Sequence, residues 1–336
     1  MIDPLRPGMN GDGLIRRCID ALPEVKKVVA GGIAGCVSKT AVAPLSRVTI
    51  LMQVQSMRPH KFVDGKNPNN QYLFQSLRKI YLEEGITGFW RGNLATCFHR
   101  FPYTSITFYA NAAIRETLQQ SYYASKLPDQ SRHLLAGGGA ACAAVCTLHP
   151  LDVIKTRLMA QTRTEYYSGI IDCAKKICRD EGVRGLYRGI SVSLCSTTPS
   201  IAINFTTFDE FKRLFVKLGL EPGCFSLTFC AGACAGSFAS IAMFPMDLVR
   251  RQMQMVGVGG RPLVYTNVWQ AIRHIFLTGV LRNQGSPIRW LFGFREFFRG
   301  LAPELMKVAP HNAIMFSTQN HLISRKWFGE ELLYPD

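Results

Sequence analysis

Apolar and polar segments alternate along this chain with a period of about 100 residues, long enough for an internal repeat. The clearest apolar stretch, HLLAGGGAACAAVCTL (133–148), runs straight into HPLDVIKTRLMAQ (149–161), where a proline, an acid and two cations follow in helical register. A proline inside a helix removes a backbone hydrogen bond and kinks it, and a charge inside a bilayer is costly unless it faces a cavity or a partner. The pattern predicts a membrane-spanning helix whose lower part is wet.

Two further copies share this phase. APLSRVTILMQ (43–53) and FPMDLVRRQMQ (244–254) align with the first on Pro44, Pro150 and Pro245, the expected helix kinks. Small-residue runs precede all three: AGGIAG (30–35), AGGGAA (136–141) and AGACAG (231–236). Such runs let neighbouring helices approach closely. Downstream stand FWRGN (89–93), LYRGI (186–190) and FFRGL (297–301), then second prolines at Pro102, Pro199 and Pro310 and another apolar segment. About 20 residues of helix cross a hydrocarbon core, so each unit holds two spans. The expected fold is all-α: six transmembrane helices in three tandem two-helix repeats with pseudo-threefold symmetry. The division reads as a tail over 1–22 and repeats over 23–122, 128–219 and 222–330. Residues 278–293 (TGVLRNQGSPIRWLFG) read as an insertion in the third repeat.

Composition agrees with a membrane protein. Of 336 residues, 47% are apolar and 18% charged, with a formal net charge of +16. That surplus favours anionic partners; because the cations are spread rather than clustered, phosphorylated metabolites or anionic lipid are expected and nucleic acid is not. From Lys155 to Arg188 there are eight Lys/Arg against four acids, whereas Asp209 to Glu221 carries three of each, so the long loops take the cation-rich side. The eleven cysteines are scattered without CxxC spacing and read as reduced, small, buried residues, with no metal site. The opening MIDPLRPGMNGDGL lacks the apolar core of a secretory signal. No Ser-His-Asp array, P-loop or H-E-x-x-H is present, so no enzyme and no cofactor are expected.

With three Pro-x-acid-x-x-base words, three aromatic-Arg-Gly words and six spans, the chain resembles the mitochondrial carrier family from about Pro23 to about Phe328. The resemblance implies a solute exchanger of the mitochondrial inner membrane, with a peroxisomal or plastid membrane as the alternative location, and a monomer. It implies a matrix-side gate at the kinks, built from Ser46, Thr49, Asp152, Lys155, Asp247 and Arg250 and braced by Gln53 and Gln254. The first repeat departs from the family with Ser46 and Thr49, so Asp152 with Arg250 is the one full ion pair expected. Ser46 with Lys155 and Asp247 with Thr49 would offer hydrogen bonds alone. At the opposite, cytoplasmic gate the second repeat keeps Asp209 and Lys212, while Arg115 is expected to meet Asn320. The resemblance also puts cardiolipin at the helix starts marked by Gly92, Gly189 and Gly300, where free N–H groups attract phosphate; relief of crowding at a tight turn explains the glycines as well.

By family position, substrate contacts fall on His99 and Arg100, Ser196 and Thr197, and Lys307. An imidazole and two cations suit a multiply anionic solute. WRGNLAT (90–96), PYTSITF (102–108) and RGLAPELMKVAP (299–310) are similar to carriers of coenzyme A and adenine nucleotides, and PMDLVRRQMQ followed by VYTNVWQAIRHI to the coenzyme A group. Adenine-nucleotide carriers usually place Gly and an aliphatic residue where Ser196 and Thr197 stand. Other readings stay open: a carrier of another anionic solute such as a cofactor pyrophosphate, or a carrier-fold protein that has lost transport and serves as a membrane adaptor or receptor.

Overall fold

The structure, a computed structural model, describes residues 29–54, 69–120, 128–161, 166–219, 221, 225–258, 265, 267–282 and 288–324. The 1–22 tail lies outside them, as does the side chain of Asn320. The described residues are helical throughout their ordered elements. In chain order the helices are α1 (Val29–Ala41), α2 (Ala43–Val54), α3 (Asn69–Glu84), α4 (Asn93–Gln120), α5 (Asp129–Ala160) and α6 (Ile170–Glu181). They continue with α7 (Ile190–Lys217), α8 (Phe225–Met255), α9 (Val268–Arg282), α10 (Arg289–Glu296) and α11 (Leu301–Ser324).

Six long units follow: α1 with α2, α4, α5, α7, α8 and α11. The odd units are the apolar ones. By length and composition α5 and α8 can each cross a membrane alone, and α1 with α2 can do so as one span bent by 66°. The even units, at 28, 28 and 24 residues, are long enough too, at about 1.5 Å rise per residue. They fall short in apolarity because each sets polar side chains along one side, and those sides prove to face the centre.

The bend between α1 and α2 has a local cause. Pro44 has no N–H, so the carbonyl of Thr40, four residues earlier, loses its helical donor. The indole Nε1 of Trp90 donates to that carbonyl at 2.9 Å instead. Pro150 and Pro245 lie inside helices that continue past them.

Small residues set the helix spacing. Ala136, Ala140 and Ala144 on α5, and Ala231, Ala235 and Ala239 on α8, recur every fourth residue and are buried. α4 packs along α5, α7 along α8, and α11 against both α8 and α2. Ser38 on α1 closes the ring, donating to the His311 carbonyl of α11 at 2.7 Å. The short helices α3, α6 and α9 lie where the odd units end, hereafter the loop end. Each lays its apolar side on its own repeat: Leu73 and Ile80 on Val48 and Met52, Cys173 and Ile177 on Val153 and Leu158, Ala271 and Ile275 on Phe244 and Leu248. Where the three odd units converge, Val54, Met159, Ala160 and Met255 form a buried apolar layer.

In the third repeat α9 and α10 touch through glycine. A Cβ on Gly279 would stand 2.4 Å from the Phe292 carbonyl oxygen, a backbone atom that cannot rotate away. Gly279→Ala is therefore expected to destabilise by about 1–3 kcal/mol, as overpacking does. Gly31→Ala, whose Cβ meets nothing within 4 Å, should be neutral or mildly stabilising because alanine is the better helix former. Thermal unfolding of the purified variants in detergent separates the two; equal midpoints would mean that α9 and α10 are not in contact.

Candidate functional site: a cationic central cavity

A cavity of about 340 Å³ lies between the helices, in the range of small-molecule sites. His99, Arg100, Ser196 and Thr197, the contacts read from sequence on α4 and α7, all line it. Lys39, Tyr103 and Arg251 line it as well and had not been singled out. The signal for Lys39 was present in the sequence, as the only cation between the small-residue run and Pro44.

Lys307 departs from expectation. It is absent from the cavity wall and pairs with Glu304 on its own helix at 2.6 Å. A carboxylate one turn away satisfies the ammonium locally. Position relative to Pro310 could not reveal that partner. The hydroxyls on α7 are also turned inward to backbone, Ser196 to the Ser193 carbonyl at 3.1 Å and Thr197 to the same oxygen at 2.6 Å. Their oxygens remain as acceptors. His99 stacks on Tyr103 with ring centroids 5.5 Å apart.

The charge balance is uneven. Lys39, Arg100, Lys155, Arg250 and Arg251 face the cavity against two carboxylates, Asp152 and Asp247. Among the described residues neither Lys39 nor the Arg100 guanidinium has an ion-pair or hydrogen-bond partner, and Arg100 Nε is a buried donor without an acceptor. A buried unpaired charge is expensive, so the site is poised for an anion.

The floor of the cavity is organised by Asp152. Its carboxylate takes Arg250 at 2.6 Å, Lys155 at 2.6 Å and Arg251 at 3.4 Å, and Gln254 Nε2 donates to it at 2.8 Å. The same glutamine accepts from Thr156 and Arg251 at 2.8 and 3.1 Å, which fixes its amide. Two expected cross-repeat contacts are replaced. Lys155 turns to Asp152 rather than Ser46, because a carboxylate binds an ammonium more strongly than a hydroxyl does. Thr49 donates to the Leu45 carbonyl on its own helix at 2.9 Å, the usual resting place of a mid-helix threonine, and Asp247 has no ion pair among the described residues. Gln53 enters through its backbone, whose carbonyl accepts from Gln252 at 2.9 Å, and among the described residues its side chain has no charged partner.

Below this floor runs a ring that the sequence reading missed. Arg47 is fully buried; its Nη2 donates to both Glu84 oxygens at 2.8 and 2.9 Å and to the Gln161 carbonyl of the next repeat at 2.9 Å. Arg91 adds a second cation to Glu84 at 3.0 Å. Repeat 2 copies the arrangement: Arg157 grips Glu181, Arg188 joins at 3.0 Å, and Arg157 Nε reaches the Gln254 carbonyl of the third repeat at 3.1 Å. Repeat 3 keeps a buried ion pair at the same word, Arg299 with Glu296 at 2.8 Å. Its link to the next repeat is neutral, Tyr265 donating to Gln252 at 3.0 Å and Gln252 donating to the Gln53 carbonyl of repeat 1. The acid-Gly words Glu84-Gly85 and Glu181-Gly182 were the available signal. Arg47 escaped notice because it stands one helical turn before the position of Arg157 relative to the proline.

The aromatic-Arg-Gly glycines serve this ring. Gly92, Gly189 and Gly300 have φ of 80°, 83° and 93°, a region that disfavours side chains. Each also abuts the odd helix of the next repeat: a Cβ on Gly92 would lie 2.6 Å from Met159, on Gly189 3.2 Å from Met253, and on Gly300 3.3 Å from the Thr49 carbonyl oxygen. Both backbone angle and close approach require glycine there.

At the far end of the bundle Arg115 meets His133 at 2.7 Å, and the expected partner, the Asn320 side chain, lies outside the described residues. His133 opens the adjoining α5 and lies within reach of an arginine near the end of α4. Asp209 and Lys212 are exposed and have no ion pair among the described residues. Among the described residues, the close acid-base contact beside them is the exposed Arg213 with Glu210.

Three helix pairs around a central polar cavity, sealed at the loop end, define a membrane solute carrier rather than an enzyme. The chain belongs to the mitochondrial carrier family, whose model, described as mitochondrial carrier protein, matches it three times, over residues 20–122, 128–219 and 223–328. It is 36% identical over 278 residues to a mitochondrial coenzyme A transporter of Xenopus tropicalis, covering 80% of each chain. It is 32% identical over 307 residues to a mitochondrial adenine nucleotide transporter of Arabidopsis thaliana, covering 87% of this chain and 84% of the relative. A mitochondrial thiamine pyrophosphate carrier of Coccidioides immitis is 30% identical over 301 residues, covering 88% and 91%.

Proposed function

We propose that the protein exchanges a phosphorylated anionic metabolite, coenzyme A or an adenine nucleotide, across the mitochondrial inner membrane by alternating access, as a monomer. The carrying observation is the cavity's surplus of cations, with Lys39 and Arg100 unpaired beside His99 and Tyr103. Phosphate groups would neutralise that surplus, Arg100 gripping them with its planar fork and Lys39 as a point charge. The stacked His99 and Tyr103 rings offer a base or an apolar tail a flat partner. In this reading the loop end faces the matrix, the Asp152 cluster is the matrix gate, and the far end, with Asp209, Lys212 and Arg115, is the weaker cytoplasmic gate. The same reading places an anionic lipid headgroup at the first turns of α4, α7 and α11, whose leading N–H groups have no intrahelical partner.

The test is counter-exchange of labelled coenzyme A, ADP and thiamine pyrophosphate in liposomes carrying the purified protein. Saturable exchange of one phosphorylated solute is expected. Lys39→Ala should weaken it by one to two powers of ten, since a charge-assisted contact contributes about 1.5–3 kcal/mol. Exchange of none of the three by protein incorporated to the same level would favour the adaptor reading. Wild-type affinity in Lys39→Ala would take Lys39 out of the site.

A further inference from the structure

Helix α10 has no counterpart in the first two repeats. There α3 and α6 pass through five-residue 3-10 turns, Ile86–Trp90 and Val183–Tyr187, straight into the aromatic-Arg-Gly word. The third repeat places α10 between α9 and that word. The added helix is firmly held. Besides the Gly279 contact, a Cβ on Gly293 would stand 2.6 Å from the Phe276 ring, and Phe276 meets Phe294 edge-on with centroids 5.3 Å apart. Glu296 is buried and bound to Arg299 at 2.8 Å, which ties the helix to the start of α11.

Its other side is unusual in composition. Trp290, Leu291 and Phe294 are each about half exposed, as is Ile288 just before the helix. Arg289 and Arg295 are exposed beside them and have no ion pair or hydrogen-bond partner among the described residues. The one acid of the helix, Glu296, points away into its pair with Arg299, so the outward side is purely aromatic, aliphatic and cationic.

We propose that α10 lies in the membrane interface at the loop end and binds the headgroups of anionic phospholipids there. Water does not suit so much clustered apolar surface. The hydrocarbon core does not suit two unpaired arginines. The interface accommodates both: rings sink to the level of the acyl boundary while guanidinium groups stay among the phosphates. α10 stands at that level, since α11 begins at Leu301, a few residues beyond its end. Arginine pairs with phosphate through two parallel N–H donors, which selects charged headgroups over bare apolar contact. The proposal is independent of what the cavity carries.

The whole protein is reconstituted in nanodiscs of phosphatidylcholine, with and without phosphatidylglycerol, using acyl chains brominated near the headgroup. The emission of Trp290 is obtained as the difference between the wild type and Trp290→Phe. Quenching of that component is expected to rise with the anionic fraction. Arg289→Gln with Arg295→Gln should raise the fraction needed for half-maximal quenching by about fivefold per arginine, given the strength of one basic side chain at a charged surface. Since both arginines are exposed and unpaired, the double variant should keep its thermal midpoint in detergent. Trp290 unquenched in either lipid would mean that α10 faces water, free for a protein partner, and would overturn the proposal. Equal quenching in both lipids, unmoved by the arginine changes, would show ordinary acyl contact and overturn it too.

Discussion

Glu181→Ala is expected to be the most damaging single change in the structural frame, lowering stability by about 3–5 kcal/mol. Glu181 holds two cations, Arg157 and Arg188, and the Arg157 side chain has no solvent exposure at all. Removing the carboxylate leaves that guanidinium with neutral partners alone, a buried charge without its counter-ion. The loss reaches beyond one repeat, because Arg157 also reaches the Gln254 carbonyl at the end of α8. Glu84→Ala should behave alike through Arg47. Gln252→Ala should cost less, about 1–3 kcal/mol, because the third link of the ring is neutral and only hydrogen bonds are lost. The control is Asp172→Ala, which breaks a half-exposed pair with Lys176 and one bond from the Ser168 N–H and should cost about 1 kcal/mol or less. Thermal unfolding in detergent ranks the four. If Glu181→Ala and Asp172→Ala unfold at the same temperature, the buried triad does not hold the repeats together.

Asp152→Asn should have the largest effect on exchange. One carboxylate is the focus of Arg250, Lys155, Arg251 and Gln254, from two helices of two repeats. With its charge removed, three cations face one another, and among the described residues lining the cavity Asp247 is the remaining acid. The state closed at the loop end loses both its attraction and its charge balance, while a state with those helices apart loses little. A ligand or a mutation shifts such an equilibrium only by its differential effect on the two states. Here each charge-assisted bond contributes about 1.5–3 kcal/mol, so a shift of about a hundredfold toward the open loop end is expected. On the proposed alternating-access reading, in which this cluster closes once per cycle, exchange should fall at least about tenfold. Ser46→Asp with Thr49→Lys acts in the opposite sense, offering Lys155 a second carboxylate across the repeats and Asp247 a cation. Each added pair is half-wet and worth about 1 kcal/mol or less. Side-specific labelling of single cysteines placed in the cavity reads the populations. Labelling from the two sides that stays the same in both variants would show that this cluster is not a gate.

The chain's repeats, its six spans and the meeting of Asp152 with Arg250 were legible from sequence for one reason. They depend on spacing along a helix, and helical spacing converts residue number into face and depth. Prolines at matching phase set the register of all three repeats, so a residue counted from Pro150 or Pro245 could be placed near the right level. Glycine at 92, 189 and 300 was legible as a requirement, though the neighbour each one admits was not.

Partner choice between helices followed a different logic. Lys155 went to Asp152 and Lys307 to Glu304, because a carboxylate one turn away on the same helix outcompetes a hydroxyl across the interface. Thr49 went to its own backbone for a similar reason of proximity. Arg47 and Arg157 sit one turn apart in their repeats yet reach equivalent glutamates, since a long flexible side chain erases a turn of difference. Lys39 joined the cavity from the last turn of α1, a placement that depends on how the first span packs against the others. Sequence therefore determined the repeats, the helices and the level of each charged residue. Tertiary packing decided which charges pair, which are left for a ligand, and which face of α10 remains uncovered, because those outcomes depend on side-chain reach and on neighbours supplied by other repeats.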